Sequence, residues 1–144
     1  MFDHERLHVY QVSLQFVVWV FKRVTRLKGY FRHARDELIR ASQSMPRNIA
    51  EGNGKRSLPD RRRFFEIARG SALECAAVLD ELHLMEAFNT SETQEGKQLL
   101  HRIVSMLTKM TETVKSVREN PSGYNECLND TLEIDYEHEH ELQR

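Results

Sequence analysis

Apolar residues return at helical spacing almost from the start of the chain. Between Leu7 and Leu27 they fall on two neighbouring faces, Tyr10/Leu14/Val17/Phe21/Val24 and Val9/Val12/Phe16/Val20, with Trp19 between them. A single core-facing stripe would need only one of these faces. Either this helix is buried centrally within its own bundle, or part of its surface meets another subunit. Phe16 and Trp19 are structural or interface residues on both readings. Lys28-Gly29-Tyr30 then breaks the pattern. A second helix is predicted from about His33 to Gly52, with Leu38, Ala41/Ser42, Met45 and Ile49 on one stripe. Pro46 lies inside it and removes the hydrogen bond to the Ser42 carbonyl, a change that normally kinks or ends a helix. Gly52 and Gly54 stop it.

Ser57-Leu58-Pro59-Asp60 reads as the start of a third helix. The Ser57 hydroxyl can cap a free amide, Asp60 can reach back, and Pro59 lacks a donor that would go unused. Its stripe, Phe64/Ala68/Ser71/Cys75/Val78/Leu82/Met85, steps by four and three without a miss until Phe88-Asn89 ends it. Ser91-Glu92-Thr93-Gln94 is a second capping-box pattern. The helix it opens carries Leu100/Ile103/Leu107/Met110/Val114/Val117 and stops at Asn120-Pro121-Ser122-Gly123. Four amphipathic helices on short turns predict an all-α, antiparallel up-down-up-down four-helix bundle over residues 1–120. Residues 121–144 are polar and acidic, and are expected to form a mobile or loosely docked tail.

Charge sharpens that division. The net charge of −1 conceals a basic domain with 20 Lys+Arg against 15 Asp+Glu in residues 1–120, and a tail with one Arg against seven acids. The longest apolar run, Phe16 to Phe21, is followed at once by Lys22 and Arg23, and falls far short of the roughly 20 residues a membrane span needs. The N-terminus mixes acids with bases and shows no cleavage site, so no signal peptide is expected and the protein is placed in the cytoplasm. Cys75 and Cys127 belong to no Cys-x-x-Cys pair, so neither zinc nor a structural disulfide is expected.

The search for chemistry turns up little. None of the seven histidines forms His-Glu-x-x-His, and the Glu-x-x-His pairs of di-metal bundles are absent. His138-Glu139-His140-Glu141 reads as solvated tail. Gly52-Asn53-Gly54-Lys55-Arg56-Ser57 lacks the spacer of a Walker loop and reads as a helix stop followed by a cap. No nucleophile and base pair up, so no enzyme activity, metal or cofactor is expected. Folding the second and third helices about a turn near residue 56 sets Arg40 opposite Glu74 and Glu51 opposite Arg61 or Arg62, as register-fixing ion pairs. Arg69 should be partly buried, on a carboxylate or carbonyl. Gly70, Ser71, Ala72, Ala76 and Ala77 keep the surrounding surface small.

The strongest functional signal is basic. Residues 22–69 hold 14 Lys+Arg against five acids. Lys55, Arg56, Arg61, Arg62 and Arg63 are the candidate nucleic-acid-binding residues, with Arg61 snorkelling outward at the bundle end beside Lys55 and Arg56. The alternative is that these charges serve solubility and subunit contacts in a protein-interaction scaffold.

Several runs carry a resemblance: Val9-Tyr10-Gln11, Ser44-Met45-Pro46-Arg47-Asn48-Ile49-Ala50-Glu51-Gly52, Gly54-Lys55-Arg56-Ser57, Phe64-Phe65, and Ile67-Ala68-Arg69-Gly70-Ser71 with Glu74. Over about residues 7–118 the chain resembles the four-helix-bundle family encoded by intervening sequences in 23S ribosomal RNA genes. The accessory protein of diversity-generating retroelements is similar to that family. The resemblance implies a ring-like homopentamer, nucleic-acid association and no catalysis. Pro46, Asn48, Glu51 and Gly52 match the family's helix-two signature, and Arg69, Gly70 and Glu74 match its helix-three signature. Small and buried-type residues of this kind speak for shared architecture more than for an active site.

Overall fold

The computed structural model describes residues 1–119; the acidic tail of residues 121–144, with Cys127 and the His138–Glu141 cluster, lies outside the described residues. Four helices account for most of it: α1 His8–Val24, α2 Arg32–Gly54, α3 Leu58–Leu84 and α4 Thr90–Glu119. Each packs against its neighbours in chain order, and α4 returns to α1, so α1 and α3 stand at opposite corners of an antiparallel bundle. No strand occurs among the described residues.

One of the two faces of α1 forms its core side. Val9, Val12, Phe16, Trp19, Val20 and Val24 are buried with Leu38, Met45, Ile49, Phe65, Leu79, Leu82, Ile103 and Leu107 of the other helices. Phe16 and Trp19 stack at 5.6 Å, and Phe88 meets the Trp19 ring edge-on at 5.9 Å. The other face stays outside except at its last residue, Val24: Tyr10 and Val17 are half-buried, while Leu14 and Phe21 are exposed, Phe21 at 74%. α1 is therefore not a helix buried centrally within its own bundle.

The turns depart from expectation in instructive ways. Gly29 takes a left-handed φ of 61° and opens the α1–α2 connection. Pro46 is buried inside α2 without ending it. Asn48 Nδ2, two residues on, donates to the Ser44 carbonyl at 2.8 Å and to the Ser44 hydroxyl at 3.0 Å. Ser57 occupies the N-cap of α3, but its side chain makes no capping bond. The second capping box forms two residues earlier than expected, because Asn89 is the N-cap. Glu92 N donates to Asn89 Oδ1 at 2.8 Å, and Asn89 N donates back to Glu92 Oε1 at 3.4 Å. α3 ends in a Schellman turn, with Ala87 N donating to Leu82 O at 2.9 Å and Glu86 N to His83 O at 3.0 Å, while Glu86 takes a φ of 59°.

Candidate nucleic-acid interface

Position along the bundle decides which bases act together. α2 runs 23 residues, about 34 Å at 1.5 Å per residue, and the basic segment 22–69 is strung along it. The segment therefore splits. Lys22, Arg23, Arg26, Lys28, Arg32 and Arg35 gather at the α1–α2 end, Lys55, Arg56, Arg61, Arg62 and Arg63 gather at the α2–α3 end, and Arg40, Arg47 and Arg69 lie between.

At the α2–α3 end the five candidates have different roles. Arg61 does not snorkel outward. Its guanidinium turns back and donates to the Asn53 carbonyl at 2.7 Å and, through Nε, to the Gly52 carbonyl at 3.4 Å. The last carbonyls of α2 have no partner inside the helix, and a cation there also meets the negative end of its dipole. Arg61 is a helix cap. Arg62 pairs with Glu66 one turn on, at 3.0 Å. Lys55 and Arg63 each sit 5.1 Å from the centre of the Phe64 ring, so one aromatic ring is approached by two cations. Glu51 lies 3.5 Å from Lys55 within its own helix, and Arg62 is paired with Glu66 rather than with Glu51. Arg56 is exposed and makes no hydrogen bond or ion pair to any described residue.

The register inferred for α2 and α3 holds. Arg40 contacts Glu74 across the seam and Glu37 at 3.3 Å in its own helix. A hydrogen bond with Glu74, then one from Arg40, holds the Glu37 carboxyl below its ordinary value, and Arg40 is raised by Glu37 first and Glu74 second. Arg69 finds a hydroxyl rather than a carboxylate or carbonyl: its Nε donates to Thr108 Oγ1 at 2.8 Å. A Cβ on Gly52 would lie 2.9 Å from the Cβ of Phe64, so the close approach of α2 and α3 requires glycine there. Gly70 serves no such purpose, because it faces outward and a Cβ would meet nothing within 4 Å.

A second basic feature escaped sequence reasoning. α1 and α4 part to leave a groove of about 1550 Å³ that places Lys22 and Arg23 beside Lys97, Arg102 and Lys109. Residues so distant in sequence give no joint signal, although Gly96 marks the place. A Cβ there would lie 2.6 Å from the Trp19 ring. Much of the charge is answered locally, Arg23 by Glu92 at 3.5 Å and Glu95 at 3.6 Å, and Lys97 by Asp80.

Little here supports chemistry. Burial first, then Glu74, pushes the Cys75 thiol up to about 12, which keeps it protonated at neutral pH. Among the described residues no three His, Cys, Asp or Glu side chains are grouped to hold a metal ion, and no helix is long and apolar enough to cross a membrane.

The fold and its charged ends define a small antiparallel four-helix bundle with an outward apolar surface and basic extremities. The family model of the 23S rRNA-intervening sequence protein matches residues 5–109, and the chain belongs to that family. A similar fold occurs in the crystal structure of a protein of unknown function from the S23 ribosomal protein family of Bacteroides thetaiotaomicron. That likeness has 20% identity and a TM-score of 0.67, and covers 72% of this chain and 97% of that one. No curated protein matches the chain.

Proposed function

We propose that this chain is a non-enzymatic homo-oligomer, a pentamer as the family resemblance implies, that works in the cytoplasm and binds RNA or DNA through the basic end at the α2–α3 turn. What supports the reading is the gathering of Lys55, Arg56, Arg62 and Arg63 at one end of a rigid bundle, with Arg56 unpaired and Lys55 and Arg63 flanking Phe64. Mobile cations on a fixed scaffold contact phosphates without reading bases, and repetition of the patch on each subunit supplies affinity in place of sequence preference.

The test is a low-salt titration of the full-length protein against RNA and duplex DNA, beside Lys55/Arg56/Arg62/Arg63→Ala. Arg61 is left intact because of its capping bonds. Binding should weaken steeply with salt, with a log–log slope of about −0.9 per duplex phosphate neutralised, and the substituted protein should show a shallower slope and lower affinity. Deleting residues 121–144 should tighten binding by removing a competing polyanion. If the substituted protein binds equally well, this end is not the site. If none of the three proteins binds, the charges serve a protein-interaction scaffold instead.

A further inference from the structure

The groove between α1 and α4 combines two characters. Its floor is apolar, built of Val18, 51% exposed, half-buried Leu99, and buried Trp19 and Met106. Its rims are basic: five Lys and Arg and two His line it, against a single acid, Glu95. Lys22 and Lys109, at opposite ends, are exposed and pair with no described residue. The Trp19 indole N–H is buried there without an acceptor among the described residues. Such a surface suits a ligand that is both acidic and apolar and brings carbonyls or carboxylates with it.

We infer that this ligand is the chain's own acidic segment, residues 121–144, folded back along α4 to lie in the groove. The segment lies beyond residue 109, where the match to the family model ends. The inference goes beyond the nucleic-acid reading and does not depend on it.

Composition is the first argument. The segment carries seven acids against one Arg, and Tyr124, Leu128, Leu132 and Tyr136 recur at every fourth residue among them. A bare polyanion answers only the cations, whereas this segment also brings apolar side chains to the floor. The α2–α3 end lies nearby, but its cations crowd a single ring, Phe64, while the groove offers a length of apolar surface along which several tail side chains fit.

Reach is the second. α4 forms one wall of the groove and ends at Glu119, beyond Lys109, and Asn120-Pro121-Ser122-Gly123 has the residue types that stop a helix and reverse a chain. From Glu119 back to Gln94, at the far end of the groove, is about 38 Å at 1.5 Å per helical residue. Residues 121–144 span up to about 80 Å when extended, so they reach both Lys109 and Lys22 without leaving their own α4. Attachment through so short a turn also raises the effective concentration of the segment at the groove far above that of a free ligand. Seated there, it hides Lys22 and Lys109 from other polyanions and leaves the α2–α3 end open to them.

Zero-length carbodiimide cross-linking of the natural full-length chain tests the placement, because it joins a carboxylate to a lysine only where the two touch. A mixture of isotope-labelled and unlabelled chains distinguishes links within a chain from links between chains by mass spectrometry, and the Lys97–Asp80 pair is the internal control. The expected result is tail carboxylates joined to Lys109 and Lys22 of the same chain, with Glu126 and Asp130 favouring Lys109 and Glu137, Glu139 and Glu141 favouring Lys22. Yields should fall as salt is raised. Tail links to Lys55 in place of these would overturn the inference and put the segment at the α2–α3 end. Links only between chains would overturn it in favour of a neighbouring copy's groove, and no tail links while Lys97 joins Asp80 would overturn it outright. As an independent check, Gln98→Cys in a full-length Cys127→Ser chain, where the remaining Cys75 is buried, should react with a maleimide several-fold more slowly than exposed Glu66→Cys on α3. Changing Glu133, Glu137, Glu139 and Glu141 to Gln should abolish that difference with unchanged helical circular dichroism. Equal rates before that change would overturn the groove as the seat of the segment.

Discussion

Where α2 meets α3, several of the buried side chains are small: Ala41, Ser42 and Gly52 on one helix, Ala68, Ser71, Ala72 and Cys75 on the other. Polar groups there find partners, with Ser71 Oγ bonded to Ser44 Oγ at 2.9 Å and Arg40 reaching Glu74. Where α1 meets α4, one large ring keeps the helices apart. Trp19 lies against α4 over Gly96 and beneath the Arg23 guanidinium, which sits 4.3 Å from its ring centre. Its indole N–H is buried without an acceptor among the described residues, and a wide groove opens alongside. The α2–α3 seam gains rigidity from close backbone approach. The α1–α4 seam concentrates its stability in one aromatic anchor and leaves surface uncovered.

That contrast breaks most readily at Trp19. Trp19→Ala should cost about 3–5 kcal/mol in urea unfolding, because a buried ring is lost and the cavity cannot close across the groove. Gly96→Ala should cost about 1–3 kcal/mol of overpacking in the natural chain, and less once Trp19 is Ala, when only the end of the Leu79 side chain, 2.9 Å from the new methyl, must still give way. Equal costs in both backgrounds would show that the ring is not what excludes a side chain at residue 96.

Gly52→Ala probes the opposite seam. The new methyl meets the Cβ of Phe64, which cannot rotate away, so a net loss of about 1–2 kcal/mol is expected after the helix-propensity gain. Gly70→Ala, by contrast, meets open space and should stabilise an isolated chain by up to about 1 kcal/mol. Thermal melts of the pair, with unfolding followed at low protein concentration, separate the two. Similar shifts in the same direction would erase the difference between seam and surface. The smallest effect belongs to Arg40 and Glu74. Their single substitutions to Ala should be non-additive in a double-mutant cycle, with a coupling that shrinks as salt is added. Strict additivity at low salt would mean that the contact contributes nothing to register.

Helix number, order and class were legible in the sequence, because a strip of apolar residues every three or four positions satisfies one geometry well and no strand pattern competed. The register of α2 and α3 was legible for the same reason: a short turn fixes which residues stand opposite, and Arg40 and Glu74 followed. Capping was harder to read. Asn89 and Ser91 are both plausible caps for α4, and the Schellman turn after Leu84, not the residue type, decided which one works; Ser57 stands at the N-cap of α3 yet makes no capping bond. The candidate site was legible only as a concentration of charge. Whether Arg61 faced phosphate or the end of α2 depended on two carbonyls whose position is set by the turn.

What the sequence determined by itself is the bundle, since helical periodicity and turn residues act locally and leave few ways to bury the stripes. Tertiary structure alone decided which of two equally apolar faces of α1 is core and which is surface, because Phe16 and Phe21 are the same residue type and only the position of the other three helices distinguishes them. It also decided that the basic run forms two separate ends, since a helix of 23 residues carries its first and last charges about 34 Å apart, well beyond the roughly 8–10 Å over which charges in physiological salt act together.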